Sequence, residues 1–316
     1  MIYYCCPDME YLSSGVRLLY RHVEVLISHG IDAAILHNEV GFRYKDSSDV
    51  PVYWRKSDRV LGGNDIVVIP EGVASIMAEM QARSVRRVII ALNWHYIYNA
   101  LEDAVDWRNY GVERAITNSP FIAEMVGWAM GLPCDVFRWG INDKLYYTEP
   151  VKKRRIVYIE RKKGCVRHLM RLLWSRNPKF VQQIEWVALD GLTESDYARA
   201  IRESAVFLTL SMFEGLPASS LEAMRAGTIV IGFNGVGGQR ELIGHGENQN
   251  CVIADNNDYV TLARLIAPLL EDMLRGDVTR WTGICNNGIK TSAAYTREAE
   301  TQSILSIWNN MLGESK

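Results

Sequence analysis

The sequence predicts an α/β protein built from two successive doubly wound domains, each a parallel sheet covered by helices. Three observations carry this. Short apolar runs of strand type alternate with stretches of helical periodicity, the pattern of βαβ units. The alternation is interrupted at Thr148-Glu-Pro-Val-Lys-Lys-Arg-Arg155, where a proline and a charge run suit a linker. The length, 316 residues, exceeds what one core usually serves, and 48% hydrophobic residues supply two.

The first domain, residues 1–147, opens with a strand from Ile2 to Cys6 and a helix from about Gly15 to His29. Leu19, Val23, Leu26 and Ile27 form one apolar face of that helix, and Gly30 stops it. Strands follow at Ala33 to Leu36, Asp65 to Ile69, Arg87 to Ala91, Ala115 to Thr117 and Cys134 to Phe137, with helices near Val73 to Arg83 and Pro120 to Met130. After the linker at 148–155, the second domain, 156–295, places buried strands at Ile156 to Ile159, Ile184 to Leu189, Ala205 to Leu210, Thr228 to Phe233 and Cys251 to Ile253, and a helix from about Asp258 to Leu274. A closing helix within 296–316 is expected to cross back toward the first domain. Two sheets facing across a cleft are the natural assembly, because the ligand-binding edges of both can then converge.

Composition excludes several classes of function. Thirty-five basic against thirty-seven acidic residues leave a net charge of -2, with no global attraction to nucleic acid. No apolar run approaches the ~20 residues of a membrane span. Met-Ile-Tyr-Tyr-Cys-Cys-Pro at the start reads as a first strand and not as a basic-then-apolar leader, so a cytoplasmic protein is expected. The six cysteines lack zinc-type pairing and are expected as reduced core thiols.

The segment richest in chemistry is Glu214-Gly-Leu-Pro-Ala-Ser-Ser-Leu-Glu222, which runs through Ala-Met-Arg-Ala-Gly227 into the apolar Ile229 to Phe233. It reads as strand, loop, short helix with Pro217 near its first position, then strand. One carboxylate thus stands at the carboxyl end of a strand and the other two turns into the following helix. In an open parallel sheet that edge binds ligands, beside helix N-termini that favour phosphate.

Phe213-Glu-Gly-Leu-Pro217, Leu221-Glu-Ala-Met224, Ala226-Gly227 and Gly237-Gly-Gln-Arg-Glu-Leu242, in this order and spacing, resemble the retaining glycosyltransferases of family 4, whose two-Rossmann architecture is called GT-B. Asn118-Ser-Pro-Phe-Ile122, Gly131-Leu-Pro133 and Gly140-Ile-Asn142 are similar to the end of that family's first domain, with Asn142 in place of a usual Asp. The resemblance implies transfer of a hexose, with retention, from a nucleotide diphosphate sugar to a hydroxyl of a glycan or lipid-linked oligosaccharide in surface polysaccharide synthesis. A UDP-hexose, UDP-glucose first, is the expected donor. It implies Glu222 on the ribose hydroxyls and Glu214 on the donor sugar, with backbone N–H groups of Gly215, Leu216 and the turn through Pro217 and Ala218 toward phosphate or sugar.

Breaking the glycosyl bond leaves extra negative charge on the diphosphate, which needs cations or N–H dipoles. Arg161, Lys162 and Lys163, after the strand at 156–159, are placed to supply them, and similar proteins carry an Arg and a Lys at this strand end. The compressed spacing leaves open which of Lys162 and Lys163 meets the phosphates. From the first domain, Gly15 is similar to a glycine that admits donor phosphate, and His95 to a histidine that reaches the donor sugar. Glu71, ending another strand, either binds acceptor hydroxyls or caps the next helix. Tyr53, Trp54, Trp94, Tyr96, Tyr98 and Trp107 are candidates for stacking on sugar faces. No Asp-x-Asp pair is present, so no metal is expected, and no cofactor beyond the donor. Basic residues Lys152 to Arg155 leave a peripheral contact with the inner face of a membrane open. The rival readings are a nucleotide-sugar epimerase, a sugar phosphorylase, and a non-catalytic nucleotide-sugar-binding subunit. A dinucleotide-dependent dehydrogenase is excluded, because Gly235-Val-Gly-Gly-Gln-Arg240 does not match its glycine turn.

Overall fold

The structure, a computed structural model, describes residues 1–10, 13–45, 49–57, 61–160 and 165–313. The chain divides into two compact units, residues 1–138 with 298–316, and residues 139–297.

In the first unit the elements run β1 (Ile2–Cys5), α1 (Ser14–Ser28), β2 (Ala33–His37), β3 (Val52–Trp54), β4 (Ile66–Pro70), α2 (Ala74–Ala82), β5 (Arg86–Ala91), α3 (Trp94–Asn99), β6 (Arg114–Thr117), α4 (Pro120–Met130) and β7 (Cys134–Val136). Among the described residues they form a seven-stranded parallel sheet in the order β3-β2-β1-β4-β5-β6-β7. β1 and β4 are buried along almost their whole length, as strands covered on both faces must be. α1 starts where the Ser13 hydroxyl accepts the Val16 N–H, and it buries Val16, Leu19, Tyr20, Val23 and Leu26. α4 has Ser119 as N-cap, Pro120 in its first turn and Gly131 in the left-handed conformation at its end.

The second unit contains β8 (Lys153–Tyr158), α5 (Val166–Arg176), α6 (Lys179–Gln182), β9 (Glu185–Ala188), α7 (Glu194–Glu203), β10 (Ser204–Thr209), β11 (Phe213–Glu214), α8 (Ala218–Arg225), β12 (Ile229–Phe233), β13 (Val236–Gly237), α9 (Gln239–Leu242), β14 (Val252–Ala254), α10 (Tyr259–Arg275) and α11 (Thr282–Ser292). Its main sheet is parallel, in the order β14-β12-β10-β8-β9. The last helix, α12 (Arg297–Gly313), belongs to the first unit from Glu298 onward. Ile304, Ile307, Trp308 and Met311, at i, i+3, i+4 and i+7, are buried there, and Glu300 accepts Arg21 Nε and Nη2 at 3.2 and 2.6 Å.

Two expectations change. The proposed linker at 148–155 is in part structural: Lys153 to Arg155 already belong to β8, and Lys152 Nζ donates to the Arg202 and Ala226 carbonyls at 2.5 and 2.6 Å. Lys153 pairs with Glu203, and Arg155 with Glu185 and Glu203. Three of the aromatic candidates have structural partners or burial. Trp107 is fully buried, and Tyr53 packs edge-on to Tyr3 with ring centroids 6.0 Å apart. Trp54 Nε1 is bonded to the Phe42 carbonyl. Among the described residues no helix is long and apolar enough to cross a membrane.

Candidate functional site

In each sheet the strand order reverses once, between β1 and β4 in the first and between β8 and β10 in the second. At such a reversal the connections leave in opposite directions, opening a crevice beyond the carboxyl ends of the strands. Both groups of candidate residues lie at these ends.

In the second unit β10 is buried throughout and ends at Thr209. The chain then enters β11, which pairs with β13 in the register Phe213↔Val236 and Glu214↔Gly237. The approach leaves no room for side chains: a Cβ on Gly238 would lie 1.8 Å from the Gly215 carbonyl oxygen, and one on Gly232 1.7 Å from that of Thr209. These contacts fix the loop carrying Glu214. Within it, Ser211 Oγ donates to Glu214 Oε1 at 2.7 Å. A small, open cavity lies here, lined by Ile159 beyond β8, by Thr209, Leu210, Ser211 and Glu214, and by Pro217, Ser219 and Ser220 at the start of α8. Four hydroxyls and a carboxylate on an otherwise apolar wall suit a ligand rich in hydroxyl groups.

Of the residues expected from sequence, Glu214 and Pro217 line this cavity, and Gly215 and Leu216, between them in sequence, are buried. Glu222 is buried on α8, three residues after the lining Ser219 and therefore on the same helix face. Pro217 is the N-cap of α8 and not its first residue. The Ala218 N–H is taken by the Leu216 carbonyl at 2.9 Å, so the expectation that it faces a ligand is not met. Arg161, Lys162 and Lys163 lie outside the described residues. Ser211, Thr209, Ser219 and Ser220 were not among the sequence candidates; Ser219 and Ser220 stand between Glu214 and Glu222, and that was the available signal.

In the first unit Gly15 is the second residue of α1, Glu71 follows β4, and His95 is the second residue of α3, after β5. A Cβ on Gly15 would meet the Leu92 side chain at 3.6 Å and Ser13 Oγ at 3.8 Å, both ordinary contacts. Glu71 Oε1 accepts the backbone N–H groups of Leu92 and Asn93 at 3.1 and 2.7 Å. Burial pushes its carboxyl up to about 7, against the pull of those N–H bonds. Asn93 Oδ1 in turn accepts the His95 N–H at 2.9 Å, capping α3. The His95 ring packs against Trp94 and Tyr96, with centroids 5.8 and 6.0 Å away. Tyr96 and Tyr98 are exposed on α3.

Residues 187–280, which contain the cavity loop, both glutamates and β11 to β14, match the family model described as Glycosyl transferases group 1. This segment is a glycosyltransferase group 1 domain. An alpha-1,6-glucosyltransferase of Actinobacillus pleuropneumoniae serotype 7 (strain AP76) is 24% identical over 244 residues, 74% of this chain and 72% of the relative. Anabaena HepE, solved in complex with UDP-glucose, superposes with a TM-score of 0.68 at 14% identity, over 98% of this chain and 99% of that one. The pneumococcal O-GlcNAc transferase GtfA, solved with UDP and GlcNAc, gives a TM-score of 0.55 at 16% identity, and 80% of this chain covers 57% of it. The group 1 domain therefore sits in an α/β, parallel-sheet fold of the kind seen in GT-B glycosyltransferase structures.

Proposed function

We propose that the protein is a retaining glycosyltransferase that moves a hexose from a UDP-sugar, with UDP-glucose favoured, to a hydroxyl of a glycan or lipid-linked oligosaccharide. The observation that carries this reading is Glu214, held by Ser211 at the rim of a hydroxyl-lined cavity at the β8/β10 crossover, inside the group 1 segment. Glucose as the sugar is supported by the relative described as an alpha-1,6-glucosyltransferase, and UDP by the ligands of the similar structures.

In this reading Glu222 takes the ribose hydroxyls, which share the oxygens of one carboxylate well. Glu214 binds the sugar hydroxyls near the reacting carbon and stabilises positive charge developing there. Arg161 and one of Lys162 and Lys163, directly after β8, neutralise the diphosphate as it leaves. Gly15 and His95 are the first unit's contribution to donor binding. The acceptor oxygen attacks on the face the diphosphate leaves, and the departing phosphate takes its proton. Surface polysaccharide synthesis at the inner face of a membrane is the setting that fits such an acceptor.

The test is nucleotide release from a panel of nucleotide sugars, with and without glycan acceptors. Release from UDP-glucose that depends on an acceptor, with a product of retained configuration, is expected. Release equal to the blank despite measurable donor binding would point instead to a non-catalytic nucleotide-sugar-binding subunit. A trapped sugar adduct on Glu214 would overturn the same-face displacement.

A further inference from the structure

We propose that Glu71 is a positioning residue, whose carboxylate clips the Leu92–Asn93 turn and thereby sets where α3 begins and where His95 stands. The inference rests on the reading of His95 as a group acting on the transferred sugar.

The geometry separates two roles open to a glutamate at this strand end. If Glu71 capped its own following helix, it would serve α2, yet α2 starts at Ala74 with Val73 as N-cap and no side-chain cap bond. Its carboxylate is instead spent on the neighbouring strand's loop. β4 and β5 pair through Pro70↔Ile90, and the Glu71 N–H continues the ladder to the Ile90 carbonyl at 3.1 Å. The side chain then folds over the end of β5, where one oxygen receives both the Leu92 and Asn93 N–H groups. Asn93 passes the constraint on, because its Oδ1 holds the His95 N–H. The chain Glu71, Asn93, His95 thus links the central strand β4 to the first turn of α3.

Burial of Glu71, 6% exposed, supports a role beyond packing. A carboxylate placed there opposes folding by its desolvation, and titratable groups shifted in this way gather at functional edges. Either protonation state keeps a carbonyl-type oxygen for the two N–H groups, and so does an amide. Glu71→Gln therefore preserves the clip, whereas Glu71→Ala removes it.

The experiment measures kcat and both KM values for Glu71→Ala, Glu71→Gln and Asn93→Ala, together with hydrogen exchange at the Leu92, Asn93 and His95 amides. Glu71→Ala is expected to lose protection at Leu92 and Asn93. It should also lower kcat by about tenfold to a hundredfold, the scale of an ångström-sized misplacement, at little changed donor KM. Glu71→Gln should keep protection and restore most of kcat, and Asn93→Ala should lower kcat with Leu92 still protected. The proposal is overturned if Glu71→Gln is as slow as Glu71→Ala, if Glu71→Ala raises acceptor KM at constant kcat, or if turnover is unchanged once protection is lost. Should Glu71→Ala fail to fold, the contrast between Glu71→Gln and Asn93→Ala decides. A wild-type chain that transfers no sugar would sink the glycosyl-transfer reading, and exchange in Glu71→Ala and Glu71→Gln would still decide the clip.

Discussion

Ser211 Oγ donates to Glu214 Oε1 at 2.7 Å, across the turn that joins β10 to β11, and both side chains line the same cavity. The bond occupies one carboxylate oxygen and leaves the orientation of the other determined. A hydrogen bond to a charged group contributes roughly 1.5–3 kcal/mol. If Glu214 acts on the sugar, Ser211→Ala lets the carboxylate rotate and should lower kcat by about tenfold to a hundredfold, with UDP affinity nearly unchanged. Ser211→Thr, which keeps a hydroxyl, should recover most of the loss. Steady-state rates and UDP titration calorimetry read the two effects separately; a fall in UDP affinity matching the fall in kcat would contradict the assignment.

The two glutamates divide the donor differently. Glu222 is buried on α8 and Glu214 stands half-buried at the cavity wall. Glu222→Ala should weaken UDP binding by about tenfold or more, the cost of losing charge-assisted bonds to two hydroxyls. Glu214→Ala should leave UDP binding intact and abolish turnover. Calorimetry with UDP, then with UDP-glucose, distinguishes the ribose contact from the sugar contact. Equal effects of both substitutions on UDP affinity would remove the proposed division.

The parts of this site that were legible before the structure are those written in burial and spacing. β10 and β12 are apolar on both faces, so their alternation with helices showed the parallel sheet and placed both glutamates at its carboxyl edge. β3 was not legible, because an edge strand of three half-buried residues lacks both a continuous apolar run and alternation. β11 and β13 were missed for another reason. Each is two residues long, and their pairing follows from the close approach of Gly238 to Gly215, a tertiary fact. The charged stretch around Lys152 looked like a linker because charge runs are usually solvated. Its partners, the Arg202 and Ala226 carbonyls, are remote in sequence. Glu71, Asn93 and His95 were visible as strand-end residues, but the bonds that join them depend on the β4/β5 register.

Gly238 and Gly232 make the cavity loop testable through the backbone. Gly238→Ala would place a methyl 1.8 Å from the Gly215 oxygen, so the β11 loop must move. Weaker donor binding and a stability loss of about 1–3 kcal/mol or more are expected, as for other overpacked sites. Gly232→Ala meets the Thr209 carbonyl at 1.7 Å within the sheet itself. It should cost more stability, because two paired strands cannot separate without breaking their ladder. Urea midpoints and UDP-glucose affinity check the ranking, and a fully stable Gly232→Ala protein would refute the steric argument.

The last prediction concerns pH. His22 is buried in the first unit, its ring edge-on to Phe137 with centroids 4.5 Å apart. Trp308 Nε1 donates to the Tyr4 oxygen at 2.9 Å, which directs the Tyr4 hydroxyl proton to His22 Nδ1, 3.2 Å away. Burial pushes the imidazole down to about 3; Glu300 opposes the shift and Arg21 adds to it. The folded protein therefore keeps His22 neutral after the unfolded chain has taken up a proton. Its contribution to stability is fully present above pH 6.5 and is lost as pH falls through that window toward 3, by an amount on the order of 5 kcal/mol at most. His22→Leu removes the titration and leaves the Tyr4 hydroxyl without its acceptor, at a cost of about 1–3 kcal/mol. The variant should be less stable than the wild type at pH 7.5, draw level as the pH falls below 6, and become the more stable of the two before pH 4. Urea unfolding of both proteins across that range reads the crossing, and stability curves that stay parallel would show that His22 is not the group that titrates.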